Sequence, residues 1–155
     1  LFVRGALRQD LAYLGLLLLL IYFFWGRLAQ IVYGMSTFQL HRTFPALFAF
    51  AFGTSEGHTM LMVGSLIGGA VAFLTFALVA VSAPMLLDPK GDFFVAVATS
   101  VRAVVMNLGP MLLWAAIILT LLLACFLSGF ALMIVAFPWL GLASWRAYRE
   151  IVARP

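Results

Sequence analysis

The sequence predicts an all-α fold, a polytopic transmembrane helix bundle of about four spans with one interfacial amphipathic helix. Composition is the first observation behind this: 66% of the 155 residues are hydrophobic and 9% are charged. An ordinary soluble domain is roughly half apolar and roughly a quarter charged. A soluble fold of this length has too little interior to hide so much apolar surface, so lipid must be the solvent for most of it. The second observation is that the apolar positions fall into runs long enough to cross a bilayer. The third is that polar and charged residues collect between those runs.

Residues 1–10, LFVRGALRQD, mix apolar positions with Arg4, Arg8 and Asp10 and read as an interfacial lead-in. The opening has neither a short h-region nor an A-x-A cleavage pattern. A start at Leu1 reads as the interior of a longer chain with upstream helices. The first span is expected over 11–33, about 23 residues reaching roughly 34 Å. Tyr22, Trp25 and Tyr33 stand where an aromatic belt would place them. Over 36–57, Ser36, Arg42, Pro45, Gly53, Ser55 and Glu56 break any spanning pattern. The run PALFAFAF among them reads as an interfacial turn of helix with Pro45 at its start.

The second span is expected over 58–87, ending against Asp88, Pro89, Lys90 and Gly91, with a break where Pro84 removes a backbone donor. Asp92 then reads as the N-cap of a surface helix over 92–107. Its apolar face holds Phe94, Val97, Val101, Val104, Val105 and Leu108, and its narrower polar side holds Thr99, Arg102 and Asn107. Gly109-Pro110 restarts the chain. Residues 110–147 would make one straight helix of about 57 Å, nearly twice the hydrocarbon thickness. The Ser128-Gly129 pair is therefore read as a turn between spans 110–127 and 130–147, with Pro138 as a second kink position. The whole chain is one transmembrane domain.

Four spans put the lead-in, the 88–109 segment and the tail on one side. That side carries Arg4, Arg8, Lys90, Arg102, Arg146, Arg149 and Arg154, against Arg42 opposite. The bias places both ends in the cytoplasm. A three-span chain would weaken it to four against four.

Few residues here suit chemistry. The net charge of +4 is too small and scattered for a nucleic-acid surface. The single cysteine, Cys125, lies in an apolar run and reads as a small packing residue. His41 and His58 fall outside the spans, so no axial ligand for a buried haem is available. His58, Met60 and Met62 point in different directions on a helix, which disfavours Cu(I) binding. Asp10, Glu56, Asp88, Asp92 and Glu150 all sit at membrane edges, whereas ion-coupled transport needs a carboxylate near the midplane. No paired acids, activated nucleophile or phosphate loop appears, so no catalytic, metal or cofactor residues are assigned.

Two sets of candidate contacts remain. Gly64, Gly68, Gly69 and Ala72 form a smooth face for close helix packing. Arg27, Arg102, Trp145 and Arg149 are candidate interface or partner contacts. Arg27 is the one charge inside a span, about 24 Å from the span's start, near enough to the outer headgroups to snorkel.

The segment VSAPMLLDPKGDFFVAVATSVRAVVMNLGPMLLWAAII (81–118), with PWLGLASWRAYREIV (138–152), resembles the DUF2189 family of bacterial integral membrane proteins. The resemblance rests on the PMLLD turn, Asp92, TSVRAV, Asn107-x-Gly109-Pro110 and the exit Ser144-Trp145-x-x-Tyr148-Arg149. It implies residence in the bacterial inner membrane and further N-terminal hydrophobic segments. A cytochrome-oxidase-like label given to members implies an association with respiratory membranes. Histidines common near the family's final exit are replaced here by Leu142 and Arg146. The expected function is thus a non-catalytic accessory or assembly subunit of a larger, respiratory or other energy-transducing complex. The expected partners are the bilayer, bound lipids and other membrane subunits. A small transporter or channel component is the alternative.

Overall fold

The computed structural model describes residues 2–37, 43–87 and 92–151, and every regular element among them is helical. The chain runs α1 (Phe2–Ser36), α2 (Phe44–Gly53), α3 (Ser55–Val79), α4 (Ser82–Met85), α5 (Phe93–Met106), α6 (Leu108–Leu127) and α7 (Met133–Ile151). His41, Arg42, Asp88, Pro89, Lys90, Gly91 and Arg154 lie outside the described residues.

By length and composition, three described segments can cross a membrane: Gln9–Ser36, Ser55–Met85 and Leu108–Leu127. The fourth expected span is occupied by α7, whose C-terminal part carries Arg146, Arg149 and Glu150. The chain is thus an all-helical, multi-pass membrane protein. Residues 2–10 of the expected lead-in are helical and run continuously into the first span as part of α1.

Contacts divide the chain into two compact units, Gly15–Thr75 and Leu1–Leu14 with Phe76–Pro155. In the first, α2 starts with Pro45 in its first turn, where the missing N–H is no loss. Thr54 both ends α2 and caps α3: its hydroxyl donates to the Phe50 carbonyl at 2.8 Å and accepts from the Gly57 N–H at 3.0 Å.

In the second unit the core is small. Ala77, Val81, Ala103, Val104, Met111 and Tyr148 form one buried cluster, and Leu14, Leu86 and Ala96 a second. Asp92 caps α5, accepting from the Val95 N–H at 3.1 Å. Asn107 separates α5 from α6, its side-chain amide donating to the Ala103 carbonyl. Pro110 then falls in the first turn of α6, whose donors are orphans in any helix. After α6 the Phe130 N–H donates to the Cys125 carbonyl and the Gly129 N–H to the Phe126 carbonyl. That pair of bonds is a Schellman closure. Gly129 (φ 62°) and Phe130 (φ 67°) both take left-handed backbone, so the chain turns where Ser128-Gly129 predicts.

Candidate functional site

The most elaborated polar arrangement lies where α3 breaks. In an unbroken helix the Val81 N–H would donate to the Ala77 carbonyl. Here the Ser100 hydroxyl of α5 stands between them, accepting from the Val81 N–H at 3.0 Å and donating to the Ala77 carbonyl at 2.8 Å. Three residues on, Pro84 has no N–H to offer the Ala80 carbonyl. Two nearby rungs are thus missing, and a side chain inserted into the ladder together with a proline is a sufficient cause of a kink. Ser82 adds a back-bond from its hydroxyl to the Leu78 carbonyl at 2.5 Å. Both serines are fully buried.

Ser100 reaches α3 because α5 turns its small residues inward. Ala96, Ser100, Ala103 and Val104 are its buried positions, spaced as one helical stripe. Of the expected apolar face, Phe94, Val105 and Leu108 are exposed, as a lipid-facing side would be, whereas Val104 is buried together with Ala96, Ser100 and Ala103. Large apolar residues mark the inner face only where water is outside; against lipid they fit either side, and small residues mark the contact. Ser100 itself was not among the candidate residues. Its signal was a polar residue in register with Ala96 and Ala103.

Chemically, the arrangement ties backbone groups across the break. Both hydroxyls are committed to carbonyl acceptors, and no buried side-chain polar atom among the described residues lacks a partner. No described group of three or more His, Cys, Asp or Glu is placed to hold a metal.

The smooth face of α3 is divided. A Cβ on Gly68 would meet the Trp25 ring at 2.9 Å, and one on Gly64 would lie 3.8 Å from Val32, so both face α1. Gly69 has open space and Ala72 is exposed, so these two face away. Gly57, not singled out from sequence, is the tightest of the described glycines: a Cβ there would fall 2.0 Å from the Phe50 carbonyl oxygen. His58 belongs to the same corner, with its Nε2 3.1 Å from the Phe52 carbonyl.

The candidate partner contacts all face outward. Arg27 is exposed and donates to Gln30 Oε1 at 3.2 Å. Arg102 is exposed, its Nε lying 3.4 Å from the Met106 sulfur. Trp145 is 36% exposed and leans on Tyr148 with ring centroids 5.6 Å apart; Arg149 is exposed. Cys125 is buried at the edge of an apolar groove of about 340 Å³ between α6 and α7, which Leu121, Leu132 and Trp139 also line.

Long apolar helices, a helix break spliced by the Ser100 hydroxyl and an outer surface of large hydrophobic residues define a polytopic α-helical integral membrane protein. Residues 2–88, more than half of the chain, match DUF2189, described as a predicted integral membrane protein, and the chain belongs to that family. The match covers the first half, whereas most of the motifs that carried the resemblance lie beyond residue 88. No curated protein and no solved structure matches the chain significantly.

Proposed function

We propose that the chain is a non-catalytic accessory or assembly subunit of a larger complex in the bacterial inner membrane. The observation that carries this reading is the outward-facing Arg27 in a span, with neutral Gln30 as its hydrogen-bond partner. A charge at that depth calls for a partner, and charged side chains within spans ordinarily face protein. The buried hydroxyls support the same reading, since they are spent on holding the chain's own helices. So do Asp92, which serves as a helix cap, and Glu56, which sits in the first turn of α3 and pairs with the Ser55 hydroxyl. A respiratory or other energy-transducing assembly is the kind of complex suggested by the family resemblance. With α7 as the fourth span, the positive-inside bias favours both ends in the cytoplasm. Arg102, Trp145 and Arg149 are further partner contacts on this reading.

Native mass spectrometry of the chain extracted from its own membranes in mild detergent tests the proposal. The expected result is a stoichiometric heteromeric assembly. A free monomer across several mild detergents overturns it.

A further inference from the structure

We infer that the Arg27–Gln30 face of α1 docks a transmembrane helix of a different subunit, one carrying a carboxylate at membrane depth. This rests on the accessory-subunit reading and names the chemistry of the partner.

Depth comes from the neighbouring helix. Trp25 of α1 lies against Gly68 of α3, and Val32 lies against Gly64, so the two helices run antiparallel and Arg27 falls between those levels. The polar start of α3 holds Ser55, Glu56, His58 and Thr59, and its apolar run begins at Met60. Gly68 is thus about 12 Å past the first apolar residue of α3. Arg27 is two residues, about 3 Å, past Trp25 toward that surface, and leaning one turn toward Gln30 recovers about 5 Å more, which leaves the guanidinium roughly 4 Å inside the apolar zone. Its Cα–Cβ bond also tilts toward the helix N-terminus, away from the nearer surface. Snorkelling to the headgroups is therefore incomplete, and a guanidinium with unused donors remains at depth.

The outward face around it is otherwise apolar. Phe23 and Ile31, one turn to either side, are 60% and 56% exposed. An apolar stripe with one fork of donors at its centre suits a helix that presents a carboxylate, because guanidinium and carboxylate pair bidentately. The same 155 residues of a second copy do not fit. A parallel copy brings Arg27 opposite Arg27. The chain's five carboxylates, Asp10, Glu56, Asp88, Asp92 and Glu150, all lie at or beyond the ends of the three spans or in the tail.

The test uses the full chain in native membranes, with the photo-crosslinker benzoylphenylalanine placed at position 23 or 31. Both positions should yield the same adduct, and the crosslinked peptide should be a transmembrane segment containing Asp or Glu. Arg27→Leu should reduce that adduct roughly thirtyfold. Arg27→Glu combined with replacement of the partner's carboxylate by Arg should restore it. Purified alone, Arg27→Leu should melt at or above the parent temperature, which separates loss of partner from loss of fold. Adducts to lipid alone, a captured segment without a carboxylate, or an adduct indifferent to Arg27→Leu would each overturn the inference. If the assembly keeps its native mass in Arg27→Leu, this interface is wrong and the subunit reading stands. If the parent chain is monomeric, both fall.

Discussion

Ser100 on α5 donates its hydroxyl to the carbonyl of Ala77 on α3, 23 positions earlier in the chain, at 2.8 Å. The same oxygen accepts from the Val81 N–H. One side chain thereby satisfies both ends of a broken helical rung in a region where water is scarce. Ser100→Ala should lower unfolding stability by about 1–2 kcal/mol. Reversible unfolding in mixed micelles measures it; a change within error would mean that the 77–81 rung re-forms at no cost.

Restoring both missing rungs should straighten the helix. In Ser100→Ala/Pro84→Ala, Val81 can donate to Ala77 and residue 84 to Ala80, giving one helix from Ser55 through Met85. Distances between spin labels on either side of residues 80–81 should lengthen relative to the parent. An unchanged distance distribution would show that packing against α5, not the ladder, sets the bend.

Gly57 should tolerate no side chain. A Cβ would stand 2.0 Å from the Phe50 carbonyl oxygen and 2.8 Å from the Ala51 Cα, both backbone atoms that cannot step aside alone. Gly57→Ala should open the α2–α3 corner and cost about 3 kcal/mol. Loss of amide-exchange protection at Gly57 and His58 reports the opening.

Adjacent glycines should respond with opposite signs. Gly68→Ala presses on the Trp25 ring, which yields by a small shift, and should destabilise by about 1 kcal/mol. Gly69→Ala enters open space and should stabilise the isolated chain by about 0.5–1 kcal/mol. Thermal unfolding of the purified variants distinguishes them, and a Trp25 fluorescence shift is expected for Gly68→Ala.

The turn after α6 offers a backbone test. Gly129 holds φ 62°, and alanine there should cost about 1 kcal/mol. Phe130 is a bulky residue at φ 67°, held partly by the edge-to-face contact with Phe126 at 6.1 Å. Phe130→Gly relieves the backbone and loses the ring contact, so its net effect should be smaller than that of Gly129→Ala in the same unfolding assay.

Helix positions were largely legible because span length and breakers are local properties. Pro45, Pro84, Asp92 and Gly129 each did at the backbone what their covalent structure requires. Facing was less legible. Ala96, Ser100 and Ala103 carry little hydropathy, while Phe94 and Val105 are strongly apolar, yet the first group is buried and the second exposed. The role of Ser100 depends on a partner far along the chain, and no short window contains both. Arg27 was identifiable as an oddity, but its depth followed only once Trp25 and Gly68 were seen side by side.

The splice also orders biogenesis. When residues 77–81 leave the ribosome, Ser100, 19 residues behind Val81, is still inside the exit tunnel and out of their reach. Residues 77–81 must enter the translocon with a rung that is either closed on itself or left open. The bend becomes fixed only after α5 has followed and docked. A released chain truncated before residue 100 therefore holds an unfinished third helix, a natural substrate for membrane chaperones and quality-control proteases.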